Sequence, residues 1–234
     1  MSTATTTASV ERARALFGAG DQPDASSDFP LRLRRARLGM LVALAGIVMI
    51  FVSYSSAYVV RQGLPTLDPR TGTLVHDWLP LPLPGFLLIN TLVLLVSSFT
   101  MELARRQSTR EALLASQSIF YTTATKDSER MPWLAITTLL GLCFLGGQWL
   151  VWRELAARGF YVATSPSSSF FYLLTGMHGI HLLGGILALM TVAAASLSRR
   201  TVESRGVLVD ATAWYWHFLT FLWIYLLCLL EFAH

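Results

Sequence analysis

Three histidines, His178, His181 and His217, lie inside long apolar stretches of this chain. Imidazole is a metal and haem ligand, and histidines on facing helices hold haem in many membrane bundles. His178 and His181 are three residues apart, so a helix carries both on one side. Thr175, Gly185 and Ala188 fall on that same polar, small-residue side, while Ile180, Leu183, Leu187 and Met190 lie roughly opposite. Depth separates the third histidine from the pair. At about 1.5 Å of rise per residue, His178 and His181 fall roughly 12–17 Å below one membrane surface, and His217 lies about 6 Å from the other. No carboxylate or thiolate on their faces completes a ligand set. The expectation is structural hydrogen bonding or lipid-headgroup contact for the three imidazoles, with no metal and no catalytic residue.

The elements that carry them are membrane helices. The 234 residues are 53% hydrophobic but only 14% charged, and mean hydropathy is +0.52, so the chain has either a very large core or lipid as its solvent. Its charges gather in short segments between long uncharged ones, which decides for lipid. Five stretches can cross a hydrocarbon core of about 30 Å: Leu38–Val60, Leu83–Leu103, Trp133–Trp152, Phe170–Leu197 and Ala213–Phe232. Backbone groups exposed to lipid must be satisfied within their own segment, so the fold class is an all-α bundle of five transmembrane helices. Residues 1–34 read as a flexible cytoplasmic tail, and residues 35–234 as one membrane domain. No cleavable signal is visible, and the acids of the tail argue against a transit peptide. A net charge of +4 without a basic, aromatic-interleaved stripe excludes a nucleic-acid partner.

Orientation follows from the cations. The tail (Arg12, Arg14, Arg32, Arg34, Arg35, Arg37), the second loop (Arg105, Arg106, Arg110, Lys126, Arg130) and the fourth loop (Arg199, Arg200, Arg205) hold fourteen Lys and Arg. The first loop (Arg61, Arg70) and the third (Arg153, Arg158) hold four. The N-terminus is therefore expected in the cytoplasm and the C-terminus in the periplasm. The proline-rich first loop, from Leu64 to Pro84, reads as an extended segment entering the second helix. Trp78, Trp133, Trp149, Trp152 and Tyr161 suit an interfacial aromatic belt.

The helix interiors contain no Asp, Lys or Arg, and Glu102, Glu154 and Glu231 lie near span ends, so the mid-depth carboxylate of a proton-coupled transporter is missing. Asn90, Thr91, Ser97, Ser98, Thr137, Thr138 and Gln148 are the expected interhelical hydrogen-bonders. On the fifth span, His217, Thr220, Phe221, Ile224 and Cys228 share a side by the 100° rule and are expected to face the bundle. Cys143 and Cys228 lack metal spacing and are expected as small buried residues.

At these residues the chain resembles a known family. Phe171-Tyr172-Leu173-Leu174-Thr175-Gly176-Met177-His178-Gly179-Ile180-His181 is similar to the Thr-Gly-x-His-Gly-x-His segment of subunit III of cytochrome c and quinol oxidases. Trp214-Tyr215-Trp216-His217-Phe218 with Trp223 is similar to that family's final helix, and further similarity runs from Leu38 onward. The resemblance implies a non-catalytic helical partner of a haem–copper terminal oxidase in a bacterial inner membrane, in the shorter five-helix form. It implies association with catalytic subunit I, with subunit II and with other respiratory subunits. Haem and copper would lie in the catalytic subunit and none in this chain; structural phospholipid, help with proton uptake and protection during turnover are also implied. A subunit III-like role in a quinol oxidase or nitric oxide reductase is the alternative, and a small transporter a more distant one. Two residues depart from the pattern: Ile47 stands where the family commonly has an intramembrane Glu, and Thr220 where it often has an Asp.

Overall fold

A computed structural model describes residues 28–67, 71–75, 78, 81–82, 84–117, 132–197 and 202–232. Five long helices dominate it: α1 (Asp28–Gly63), α2 (Phe86–Gln117), α3 (Pro132–Ala157), α4 (Pro166–Leu197) and α5 (Val202–Phe232). Each contains a stretch long and apolar enough to cross a membrane. The remainder of the expected tail, residues 1–27, lies outside the described residues.

The helices outrun the apolar spans, mainly at the charged end of the bundle. α1 starts ten residues before Leu38, so residues 28–34 of the expected tail are helical. α2 continues fourteen residues past Leu103, and α5 starts eleven before Ala213. Hydropathy marks only the part that suits hydrocarbon. Beyond it the helix is kept by its own hydrogen bonds and by i,i+3 and i,i+4 charge pairs, such as Glu102 with Arg105 and Arg106.

Helix ends obey local rules. Ser165 caps α4 and Pro166 takes its first position; Ser165 Oγ accepts from Ser168 N–H at 3.3 Å, and Ser168 Oγ accepts from Ser165 N–H at 3.1 Å. α3 closes on Gly159 at φ +88°, with Phe160 N–H reaching Leu155 O and Gly159 N–H reaching Ala156 O, both at 3.0 Å. The first loop differs from the expected extended segment: β1 (Thr66–Leu67) and β2 (Leu74–Val75) pair antiparallel as a two-rung ladder, and Gly72 at φ +65° supports the reversal.

α3 packs on α2, α5 packs on α2 and α4, and α1 lies on the rim against α5 and α4. Only 17% of the apolar window of α1 is buried, against 44% for α5, which makes α1 the helix held least by its neighbours. Phe51, Leu94, Met101, Phe144, Phe171, Trp216 and Trp223 fill the core.

The inward face of α5 corrects the expected stripe. Ala213, Trp216, Leu219, Thr220, Trp223, Leu226 and Leu230 are buried, whereas Phe221 is 70% exposed and Ile224 and Cys228 also face out. Two indoles seven residues apart have both bulk and an N–H needing a partner, and they set the rotation of the helix. Cys143 and Cys228 are both exposed on the outside of the bundle rather than buried. In lipid an apolar or thiol side chain gains little by turning inward, so hydrophobicity alone does not aim it.

Candidate functional site: polar seams between the helices

Polar side chains meet at three levels. At the end where α3 turns into α4, Trp152 Nε1–H donates to Thr175 Oγ1 at 3.1 Å, and Tyr172 O–H donates to Phe160 O at 2.9 Å. Thr175 is fully buried and donates to Phe171 O, so its hydroxyl is used in both directions. Glu154 stays apart from the seams, ion-paired on the surface with Arg158 of its own turn.

At the middle level Asn90 Nδ2–H donates across to Phe144 O at 3.1 Å. A Cβ on Gly147 would fall 2.2 Å from Asn90 Oδ1, so the close approach of α2 and α3 requires glycine there. Trp223 Nε1–H donates to Thr91 Oγ1 at 3.0 Å. His181 Nδ1–H donates to Met177 O at 2.8 Å, and Tyr215 O–H donates to His181 O at 2.9 Å. His178 is fully buried, with its ring 5.1 Å from Trp223 and 6.0 Å from Phe144. Neither ring nitrogen of His178 has a hydrogen-bond partner, and neither does the side-chain amide of Gln148, which is 3% exposed.

The third level is ionic. His217 Nδ1 is 2.6 Å from Ser98 Oγ, and its Nε2 is 3.4 Å from Glu102 Oε2. With Glu102 ionised, Nε2 carries the hydrogen and Ser98 O–H donates to Nδ1. Glu102 also accepts from Arg105 at 2.7 and 2.8 Å and from Arg106 at 2.8 Å. The Asp210 carboxylate, 1% exposed, accepts from Arg37 at 2.8 and 2.9 Å and from Arg105 at 3.2 Å. Just inside this level Trp216 Nε1–H donates to Ser97 Oγ, Ser97 donates to Thr137 O, and Thr100 meets Thr137 at 2.8 Å.

The order Ser98, His217, Glu102 looks like a hydrolytic triad but cannot work as one. Ser98 and Glu102 lie one turn apart within α2, whose amides are engaged in the helix, so no pair of N–H groups is left to hold an oxyanion. It is a strut between α2 and α5. Among the described residues no three His, Cys, Asp or Glu side chains gather in a group able to hold a metal.

Sequence reasoning missed Asp210 as a member of this network. Its signal was available: it stands alone among Val207, Leu208, Val209 and Ala211, two helical turns before His217 and on the same side. Asn90, Thr91, Ser97 and Ser98 all bond across to other helices, whereas Thr138 bonds within its own helix to Leu134 O at 2.8 Å.

The family model for cytochrome c oxidase subunit III matches residues 32–233, all of this bundle but the first four residues of α1. The chain belongs to that family. It is 32% identical over 195 residues to cytochrome c oxidase subunit 3 of Branchiostoma lanceolatum, covering 81% of this chain and 66% of that relative. It is 30% identical over 197 residues to a probable cytochrome c oxidase subunit 3 of Mycobacterium leprae, covering 83% and 86%. A cytochrome bo(3) ubiquinol oxidase subunit 3 of Pseudomonas aeruginosa is 30% identical over 139 residues, or 59% of this chain and 60% of that one. The chain thus spans just under two thirds of the lancelet relative and most of the mycobacterial one. Within the family's frame, Ile47 is partly buried against the core, and Thr220 O–H donates to Trp216 O of its own helix at 3.1 Å. The two departures from the family pattern are therefore accommodated without an intramembrane charge.

Proposed function

We propose that this chain is the accessory subunit III of a haem–copper terminal oxidase, bracing the catalytic subunit that contains haem and copper and carrying no redox centre of its own. The observation that carries the reading is the family match over residues 32–233 on a bundle whose polar side chains mostly hold its own helices together. Such an arrangement gives rigidity and low charge at mid-depth, which suits a supporting partner and leaves no group placed for chemistry. Relatives named for both cytochrome c and ubiquinol oxidases match it, so the reading stops at the haem–copper oxidase class.

The site belongs in a bacterial inner membrane, with α1 entering from the cytoplasm and the ionic level at the inner surface. Subunits I and II are the partners by this reading. Anionic phospholipid is a further one: Arg105, Arg106, Thr109, Arg110 and Leu113 line an open cavity of about 470 Å³ at that end. A cationic rim over an apolar floor suits a lipid phosphate with its acyl chains running along α2.

Purification in mild detergent tests the assignment. The chain is expected to leave the membrane with a haem-containing partner, and oxidase lacking it is expected to inactivate sooner during turnover. Recovery as a solitary, stable protein would overturn the reading. Replacing Arg106 and Arg110 together by Gln is expected to lower retained anionic phospholipid, measured by lipid mass spectrometry of the complex, without loss of the subunit.

A further inference from the structure

Four buried side-chain atoms without a hydrogen-bond partner fall in one layer on the neighbouring helices α3 and α4: both amide atoms of Gln148 and both ring nitrogens of His178. Counting about 1.5 Å per residue from the end shared by Ala157 and Pro166, both residues lie about 14–18 Å into the bundle. Contacts on either side aim them at one another. On α3, Gln148 stands one turn from Phe144, whose ring meets His178, and one turn from Trp152, whose indole bonds Thr175. His178 and Thr175 are themselves one turn apart on α4, so the amide of Gln148 faces the strip between them.

We propose that this layer is an internal hydration site, where water bound between α3 and α4 hydrogen-bonds His178 and Gln148. Exposure excludes other partners. His178 is 0% and Gln148 3% exposed, so neither a lipid headgroup nor another subunit reaches them, and hydrocarbon offers no hydrogen bond. The donor set selects water over an ion. A neutral imidazole brings one N–H and one lone pair, and the amide two N–H and a carbonyl oxygen. That mixture would repel a bare cation from the N–H groups and an anion from the lone pairs, whereas water can donate to half of it and accept from the rest. A methyl on Gly179, next in sequence to His178, would meet nothing nearer than Leu145 at 4.0 Å, so α3 and α4 are not in close backbone contact there. The site explains how an imidazole can be retained at this depth with no protein partner and no metal group around it.

The test uses the assembled complex containing the full chain in lipid. A density map fine enough to resolve ordered water is expected to show peaks within about 3.2 Å of a His178 ring nitrogen and of the Gln148 amide. A direct Gln148–His178 hydrogen bond with no density between them, or a single heavy peak with metal distances, would overturn the proposal. Magnetisation transfer from water to 15N-labelled histidine reads the same site independently. The His178 resonances, identified by their loss in His178→Phe, are expected to receive transfer from water, and their failure to do so counts against the site.

Discussion

Asp210 is a nearly inaccessible carboxylate that joins arginines from two other helices. Arg37 and Arg105 keep 39% and 29% of their side-chain surface exposed, so solvent screens the pair in part. Asp210→Asn is expected to cost about 1–3 kcal/mol, between a surface ion pair and a fully buried one. The measured effect should be a lower thermal midpoint and easier loss of the subunit in detergent. Gly147 acts through space rather than charge. Gly147→Ala would put a methyl 2.2 Å from Asn90 Oδ1, breaking the Asn90–Phe144 bond or parting α2 from α3. Its expected cost is about 1–3 kcal/mol, read as a fall in thermal midpoint, and Gly146→Ala, which meets nothing within 4 Å, is the matched control. Asn90 was legible in sequence as an interhelical donor. The need for Gly147 opposite it was not, since a glycine in a membrane helix has many uses and only the facing residue shows which applies.

Among the elements, α1 is the outlier. It touches the bundle chiefly through α5 and α4, and the Arg37–Asp210 bond fastens its charged end. Loss of that bond should therefore be felt first in α1, and hydrogen exchange of residues 30–40 in Asp210→Asn is expected to speed up before that of α3. α4 is set from its other end by the Ser165–Ser168 cap, so Ser165→Ala should cost about 1 kcal/mol. The existence of five helices and their order could be read from apolar length alone. Their true ends could not, because the turns beyond the apolar spans rest on charge pairs and caps that a hydropathy window passes over.

At the scale of the whole molecule, the ionic level and the hairpin mark opposite ends, and the function proposed above, with its cation-rich end inward, expects the ionic end in the cytoplasm. A cysteine placed at Thr71 in the hairpin is expected to react with a membrane-impermeant maleimide in intact cells, and one placed at Arg110 only after lysis; the reverse result would invert the topology. The background for that experiment must replace Cys143 and Cys228, which face outward. By itself the sequence determined the solvent, the number of spans and the family, since all three depend on apolar length and on short runs of residues such as Thr175–His181. Tertiary structure alone decided which way each helix faces: Trp216 and Trp223 inward, the cysteines outward, Asp210 between two arginines, and His178 against Phe144 and Trp223. The reason is physical. Lipid is as apolar as a leucine core, so hydrophobicity gives a membrane helix no preferred side, and facing is settled by packing volume and by where each polar atom finds a partner.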